Sequence, residues 1–554
     1  MYRTEVIKYC FLLPVFLLFS LTGFSQNAYY FEIVFKEKGS AFSTSNPSAF
    51  LSEQSIEKKS KKKIAIDVLD FPLDEQNLQS LSNYRDSITH RSKWRNSVLI
   101  KITDTSAING LKALGSVQSV TYFTAKKITS NKKQEGSGKF NTEIDLLPYT
   151  YGAAANQLEM LGGHFLHERG YNGEGMDIAV FDAGFNPDFY SVKLSINDQL
   201  SASGQIKYTW DFIDHDSLVF EKNPHGAMVL SVMGIDNKKI IGSAPKANYY
   251  LFITEDDNSE TLLEEYNWLM AAEKADSIGV DIINSSLGYY EFNDTLTNHH
   301  YKDMDGKTTL VAKAANTAAH KGIFVVSSAG NEAQTQWQRI ISPADADSAL
   351  AVGAVNGNRK YAFFSSLGPA ADGDVKPNVT AQGQGTAITF YNNMYVRANG
   401  TSFSGPLMAG AAACLWQAFP ELTNMELKKA IEESAHLYLQ PDSLMGYGIP
   451  DLLKIYMNRG STDQFKYNES MLLSLRSNPF KDRIGVELYS AQKKDFTLQL
   501  LDVSGRLIRE EKHSIEENQY IIFGFGDLEI LAPGLYFFSV ADENGAKVWK
   551  VVKD

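Results

Sequence analysis

Cysteine is nearly absent from this chain: its 554 residues hold two, Cys10 and Cys414. Cys10 falls in an N-terminal apolar run that is expected to be removed, which leaves Cys414 alone in an Ala-rich helical run. A chain with one thiol has no internal disulfide and no cysteine-rich metal site, and it lends no support to a thiol protease. A core of this size does not need a disulfide. An excess of positive charge is also missing. Lys and Arg number 53 against 65 Asp and Glu, a net charge of −12, which argues against a general nucleic-acid partner because that would need a basic face. Long apolar runs are missing except for Tyr9–Phe24. That run is shorter than the roughly 20 residues of a membrane span and is broken by Pro14. Arg3 and Lys8 precede it, and Ser25, Gln26 and Asn27 follow. This is the order of a secretory signal peptide over residues 1–25, so an exported protein with no permanent transmembrane segment is expected.

What is present is a globular composition, 44% apolar and 21% charged. At roughly 100–200 residues per domain, this length implies two to four units. Residues 26–140 mix strand-like runs (Tyr29–Phe35, Ser97–Ile102, Val117–Phe123) with helical stretches such as Asp104–Leu114. They include the cluster Lys58, Lys59, Lys61, Lys62 and Lys63, expected to be a solvated helix face. They end in Asn131-Lys-Lys-Gln-Glu-Gly-Ser-Gly-Lys139, an exposed linker by composition and a plausible cleavage site. Residues 145–460 alternate short β-branched runs with helical runs. Strands are expected at Asp177–Phe181, Tyr249–Ile253, Ile282–Asn284, Ile323–Ser327 and Leu350–Val355. Helices are expected at Thr261–Ile278, Leu310–Lys321, Ser404–Ala418 and Asn424–Ser434. That alternation predicts an α/β fold, a parallel sheet covered by helices on both faces, with any site at the C-terminal strand ends. Residues 466–554 carry closely spaced strand runs (Ile484–Leu488, Phe496–Leu501, Tyr520–Phe525, Leu535–Val540, Val548–Val552) with turns at Ser504-Gly505, Pro533-Gly534 and Asn544-Gly545. This predicts an all-β sandwich.

Four motifs in the middle segment carry chemistry. An apolar strand runs into Asp182, where a rigid carboxylate can accept a hydrogen bond from an imidazole; a turn aspartate reads the same way. His225-Gly226 opens an apolar run, which suits a ring presented to a cleft or a structural histidine. Asn399-Gly-Thr-Ser402-Phe-Ser-Gly-Pro406 sets a serine at the start of a small-residue helix, whose free N–H groups favour negative charge. A capping serine explains neither Gly400 nor the small residues that follow. Ile323–Ser328 runs into Ala329-Gly330-Asn331, where the Asn331 amide can donate to an oxyanion or make a turn.

The order Asp182, His225, Asn331, Ser402 resembles the subtilisin-like serine peptidase (subtilase) family. Three further runs are similar to that family: Ile283–Gly288, Lys376–Ala381 and Gly446–Asp451. The resemblance implies a secreted serine endopeptidase made as a zymogen. In it Ser402 is the nucleophile, His225 the base, Asp182 its orienting carboxylate and Asn331 the oxyanion donor. Ser285, Ser286, Leu287, Gly288, Ala329 and Gly330 are expected to line the substrate pocket. Residues 26–140 then resemble a propeptide, with Arg91–Ser97 similar to propeptides of Bacteroidota. Residues 466–554 resemble a type IX secretion sorting domain in Ser477–Phe480, Leu501–Arg506, Pro533–Tyr536 and Lys547–Lys553, a carbohydrate-binding sandwich being the alternative. The chain departs from the family pattern at Ala183, Ala227, Met228, Phe403, Ser404 and Leu407, which bears on packing around the triad and the shape of the cleft more than on activity; a catalytically dead binding scaffold is the competing reading, disfavoured by the intact set Asp182, His225, Asn331 and Ser402.

No cofactor is expected. Asp303-Met-Asp305-Gly306 could offer oxygens to calcium but lacks a full ligand set and reads as a turn. His299-His300 has no third zinc ligand at a usable spacing and reads as a pair of exposed loop histidines. The expected partners are protein or peptide substrates and the secretion machinery, with no nucleic acid, and the chain is expected to be a monomer.

Overall fold

A computed structural model describes residues 27–127, 151–189, 192–193, 195–237, 240–389, 395–459, 471–476, 478–490, 492–516, 519–543 and 545–554. The apolar run Tyr9–Phe24 and the linker Asn131–Lys139 lie outside the described residues.

The centre is an eight-stranded sheet. Its spatial order is Tyr395–Asn399, Val379–Thr389, Leu350–Asn356, Phe324–Ser328, Ile282–Ser285, Asp177–Asp182, Asn248–Ile253 and Ile206–Asp211. All neighbours run parallel except Tyr395–Asn399, which pairs antiparallel at one edge. Alternate residues divide between two cores, as the period of two requires. Ile178, Val180, Ile282 and Val326 face one way, onto the helices His225–Gly234 and Thr401–Ala418. Ala179, Phe181, Ile283 and Val325 face the other, onto Leu263–Ile278 and Leu310–His320. Continuous apolar strands are therefore buried on both sides, as the sequence pattern predicts. Val379–Thr389 escapes that pattern because Gln382, Gly383, Gln384 and Gly385 interrupt its apolar run.

Residues 27–127 form a four-stranded antiparallel sheet in the order Ile88–Ser92, Ser97–Ile102, Asn27–Phe35, Val117–Lys127. One face holds its own core around Ile33, Val98, Ile100 and Leu111. The other face places Tyr30, Trp94, Leu99 and Phe123 in the same core as Leu263, Tyr266 and Leu269 of the long helix Leu263–Ile278. The lysine cluster corrects the solvated-face expectation. Lys58 pairs with both Asp177 and Asp281, Lys59 lies 2.5 Å from Asp276, and Lys62 lies 2.9 Å from Asp281. Lys321 returns the contact, 2.9 Å from Asp70 and 2.7 Å from Asp67. Lys61 and Lys63 alone stay exposed. The partner carboxylates come from positions more than 100 residues away, which no local pattern reveals.

The same interface buries His90. Its Nε2 lies 2.9 Å from Asn267 Oδ1 and its Nδ1 2.7 Å from Thr89 Oγ1, with the rings of Tyr266 and His215 beside it. Burial pushes its pKa from an ordinary 6.5 down to about 4, outweighing the Asn267 hydrogen bond. The folded state therefore binds fewer protons than the unfolded state between those values, and stability is lost as pH falls from 6.5 toward 4. The loss is at most about 3 kcal/mol. Thermal unfolding of the full Ser402→Ala chain at pH 7 and pH 5 checks this. The drop in Tm is expected to be smaller in a chain also carrying His90→Gln, and an equal drop would remove His90 as its source.

Residues 471–553 form two antiparallel sheets of three and four strands around Val486, Leu488, Leu498, Leu500, Phe523, Phe538 and Val540. Met471–Arg476 and Leu507–Ile515 are strands beyond those expected; the second carries the charged run Arg509-Glu-Glu-Lys512, which breaks the apolar pattern. Among the described residues, no helix is long and apolar enough to cross a membrane.

Candidate active site

Three element ends meet at one cavity of about 570 Å³, lined by His225, Asn331 and Ser402 among others. The strand Asp177–Asp182 delivers a fully buried carboxylate at its C-terminal end. His225 is the first residue of the helix His225–Gly234, and its Nδ1 lies 2.8 Å from Asp182 Oδ1. The Ala183 N–H donates to the same oxygen at 2.8 Å, and His225 N–H donates to Asn223 Oδ1 at 2.9 Å, so both ring and carboxylate are held. Gly226 follows because there is no room for a side chain. A Cβ there would lie 2.5 Å from the Gly184 carbonyl oxygen and 2.9 Å from Asp182 Cβ.

The helix Thr401–Ala418 starts three residues earlier than its apolar pattern suggests. Gly400, at φ +155°, turns the chain into it. Asn331 Oδ1 accepts from Thr401 N–H at 2.9 Å and from Thr401 Oγ1 at 3.1 Å. With its oxygen committed to the helix start, the Nδ2 of this exposed side chain is the donor it offers to the cavity. Ser402 is the second residue of the helix. Pro406 lies four positions on and has no N–H for the Ser402 carbonyl; the Ser286 hydroxyl donates to it instead, at 3.1 Å. That bond ties the serine to the Ser286–Gly288 wall. Phe403, one of the departures from the family pattern, is buried with its ring 6.2 Å from the His225 ring, so it packs beside the imidazole.

Ser286, Leu287, Gly288 and Gly330 line the cavity. The side chains of Ser285 and Ala329 do not. Ser285 is fully buried and accepts from Trp268 Nε1 at 3.0 Å, and Ala329 is fully buried beside Ile340. Alternation along an extended segment sends neighbouring side chains to opposite sides. Sequence reasoning missed Ile341, which approaches both Gly288 and Gly330, and the acids Glu255, Asp256, Asp257, Glu260, Glu264 and Glu332. The run Glu255-Asp256-Asp257 directly after an apolar strand was the available signal. Burial, reinforced by Glu260, pushes the Glu255 carboxyl up to about 8. Burial also raises Glu264.

Outside the cavity, Asp303 ends the 3-10 helix Tyr301–Asp303, where it accepts from His300 N–H, and Asp305 accepts from Lys307 and Thr308 N–H. His299 corrects the exposed-loop expectation, because it is largely buried and paired with the buried Glu265; His300 is exposed. Asp347, Asp372 and Asp374 bring carboxylate oxygens within 4.8 Å of one another, with Lys307 Nζ 3.6 Å from Asp347 and 3.5 Å from Asp372. Cys414 is buried and free, with its Sγ donating to the Ser243 carbonyl.

Residues 173–448 match the subtilase family, residues 30–139 the peptidase S8 propeptide domain of Bacteroidota, and residues 477–554 a secretion system C-terminal sorting domain. A thermostable alkaline protease of Halalkalibacterium halodurans is 30% identical over 285 residues, 51% of this chain and 68% of that protein. Subtilisin DY of Bacillus licheniformis is 30% identical over 272 residues, 48% of this chain and 86% of that one. A subtilisin of Bacillus pumilus is 31% identical over 288 residues, 51% of this chain and 92% of that one. Fold and likeness together define a serine endopeptidase with a propeptide domain. The chain belongs to the subtilase family. Its sorting domain implies export across the outer membrane to a secreted or cell-surface location.

Proposed function

We propose that this protein is an exported endopeptidase in which Ser402, His225 and Asp182 act as one unit, held inactive until the segment 26–140 is cleaved. The observation that carries the reading is the His225 Nδ1 to Asp182 Oδ1 contact of 2.8 Å beside the cavity that Ser402 lines. With Nδ1–H donated to Asp182, His225 acts as the base through Nε2. Ser402 Oγ attacks the peptide carbonyl carbon and gives its proton to Nε2. Asp182 stabilises the imidazolium without taking the proton. The Asn331 Nδ2 and the Ser402 N–H, unpaired at a helix start, hold the oxyanion. The imidazolium then protonates the leaving amine, and an ester to Ser402 remains. Water, deprotonated by His225, attacks that ester and restores the serine. Cleavage of the propeptide by this same site fits a chain whose inhibitor is covalently attached.

A fluorophosphonate reagent tests the reading. Mature secreted protein is expected to take one label, lost in Ser402→Ala, and to digest casein. Wild-type protein that takes no label and digests nothing would sink it. Asn331→Ala is expected to lower kcat by about 10²–10³-fold with little change in KM. Asn331→Asp keeps an acceptor for Thr401 but loses the donor, and is expected to be at least as slow. An unchanged kcat in both variants would remove Asn331 from the oxyanion site.

A further inference from the structure

The cavity is acidic beyond what serine chemistry asks. Glu255, Asp256, Asp257, Glu260, Glu264 and Glu332 all line it. Among the described residues, no lysine or arginine does. Five of the six come from one segment that follows the strand Asn248–Ile253, and Asn223, two residues before His225, donates to Asp257 of that segment at 3.0 Å. Crowding carboxylates in a half-buried cavity is unfavourable, as the upward shift of Glu255 by burial and by Glu260 records. A cation in the cavity would relieve it.

A cation reaches one of these acids. The strand Val117–Lys127 of the propeptide domain runs past this segment and puts Lys126 Nζ on the Asp256 carboxylate. Asp256 is set for that contact by the Asn258 N–H at 3.0 Å and the Ser259 hydroxyl at 2.9 Å. The propeptide's Ala125 N–H adds a bond to Asp294 at 3.3 Å. Every residue of a propeptide stands N-terminal to the bond whose cleavage releases it. The wall that holds Lys126, unlike the aspartates that hold Lys58, Lys59 and Lys62, also lines the cavity of His225 and Ser402.

We propose that this acidic wall selects substrates with lysine or arginine shortly before the scissile bond, with Asp256 and Glu260 as its specificity-determining residues. The inference rests on the catalytic reading above. Lys126 occupies the wall in the zymogen as a substrate's basic side chain does in the mature enzyme, and the charge match also draws cationic substrates to the cleft.

Peptides identical except for Lys, Ala or Glu at each of the four positions before the cleaved bond test this on mature wild-type protein. The kcat/KM for Lys at one of those positions is expected to exceed that for Ala by at least about 10-fold, and that for Glu by more. Raising salt to about 0.5 M is expected to shrink the ratio, because dissolved ions screen a charge-based preference. Asp256→Asn and Glu260→Gln are each expected to bring the ratio toward one. A wild-type ratio at or below one overturns the proposal, as does a ratio that neither salt nor either variant moves. If the variants do not fold, the wild-type ratio and its salt dependence decide. Protein that labels with fluorophosphonate and digests casein but shows no basic preference sinks only this inference. Protein that does not label sinks the reading beneath it.

Discussion

Replacing Ser402 by alanine is expected to lower peptide hydrolysis by about 10⁶-fold, the size found when a triad of this kind loses its nucleophile. The same chain is expected to keep its propeptide. Both follow from the geometry around one hydroxyl. Ser402 sits at a helix start whose N–H groups lack intrahelical partners, with its own carbonyl tied down by Ser286 and the His225–Asp182 pair alongside. Removing the hydroxyl leaves the oxyanion donors in place, so about 10³–10⁴-fold over water is expected to survive. N-terminal sequencing of the secreted Ser402→Ala chain checks the processing. A chain cleaved at the wild-type junction would mean that another protease does the work. His225→Ala is expected to fall nearly as far and to lose little more when combined with Ser402→Ala, since the two act on the same proton.

The second large effect lies at the opposite end of the sheet. Lys59→Met is expected to destabilise the full Ser402→Ala chain by about 3 kcal/mol. Lys59 is almost fully buried, 2.5 Å from Asp276 and 3.5 Å from Asp70, which are buried too. Methionine keeps the stem's volume but leaves carboxylates with too few cations, the costly way to break a buried pair. Lys93 at 3.2 Å from Asp276 and Lys321 at 2.9 Å from Asp70 limit the loss. Because the pair joins the propeptide to the peptidase domain, inhibition by the propeptide is expected to weaken by about 10²-fold. Adding Asp276→Leu is expected to recover part of the stability, because replacing both partners removes the unpaired charge. Thermal unfolding of the three chains reads this directly. A loss below about 1 kcal/mol would mean the lysines behave as surface charges.

Much of the peptidase fold was legible because its strands are buried on both faces. Asp177–Asp182, Phe324–Ser328 and Leu350–Asn356 read as apolar runs with turn residues beyond, and the helix Asn424–Ser434 has the bounds expected of it. Strands with polar or glycine interruptions, Val379–Thr389 above all, were not legible. The site was readable at its element ends, where Asp182, His225, Asn331 and Ser402 stand, and less so along its walls. Ser285 and Ala329 looked like wall residues by position, yet extended alternation turns their side chains under the cleft.

By itself, then, the sequence determined an α/β sheet, the candidate residues at its element ends and the order of three units, because each is written in the period and punctuation of a local stretch. Only the tertiary structure decided that the lysine cluster docks a propeptide on distant aspartates and that Lys126 meets an acidic wall. Those contacts join residues 119–223 positions apart. A charge's partner across that span is set by how the layers pack, and no local pattern records it.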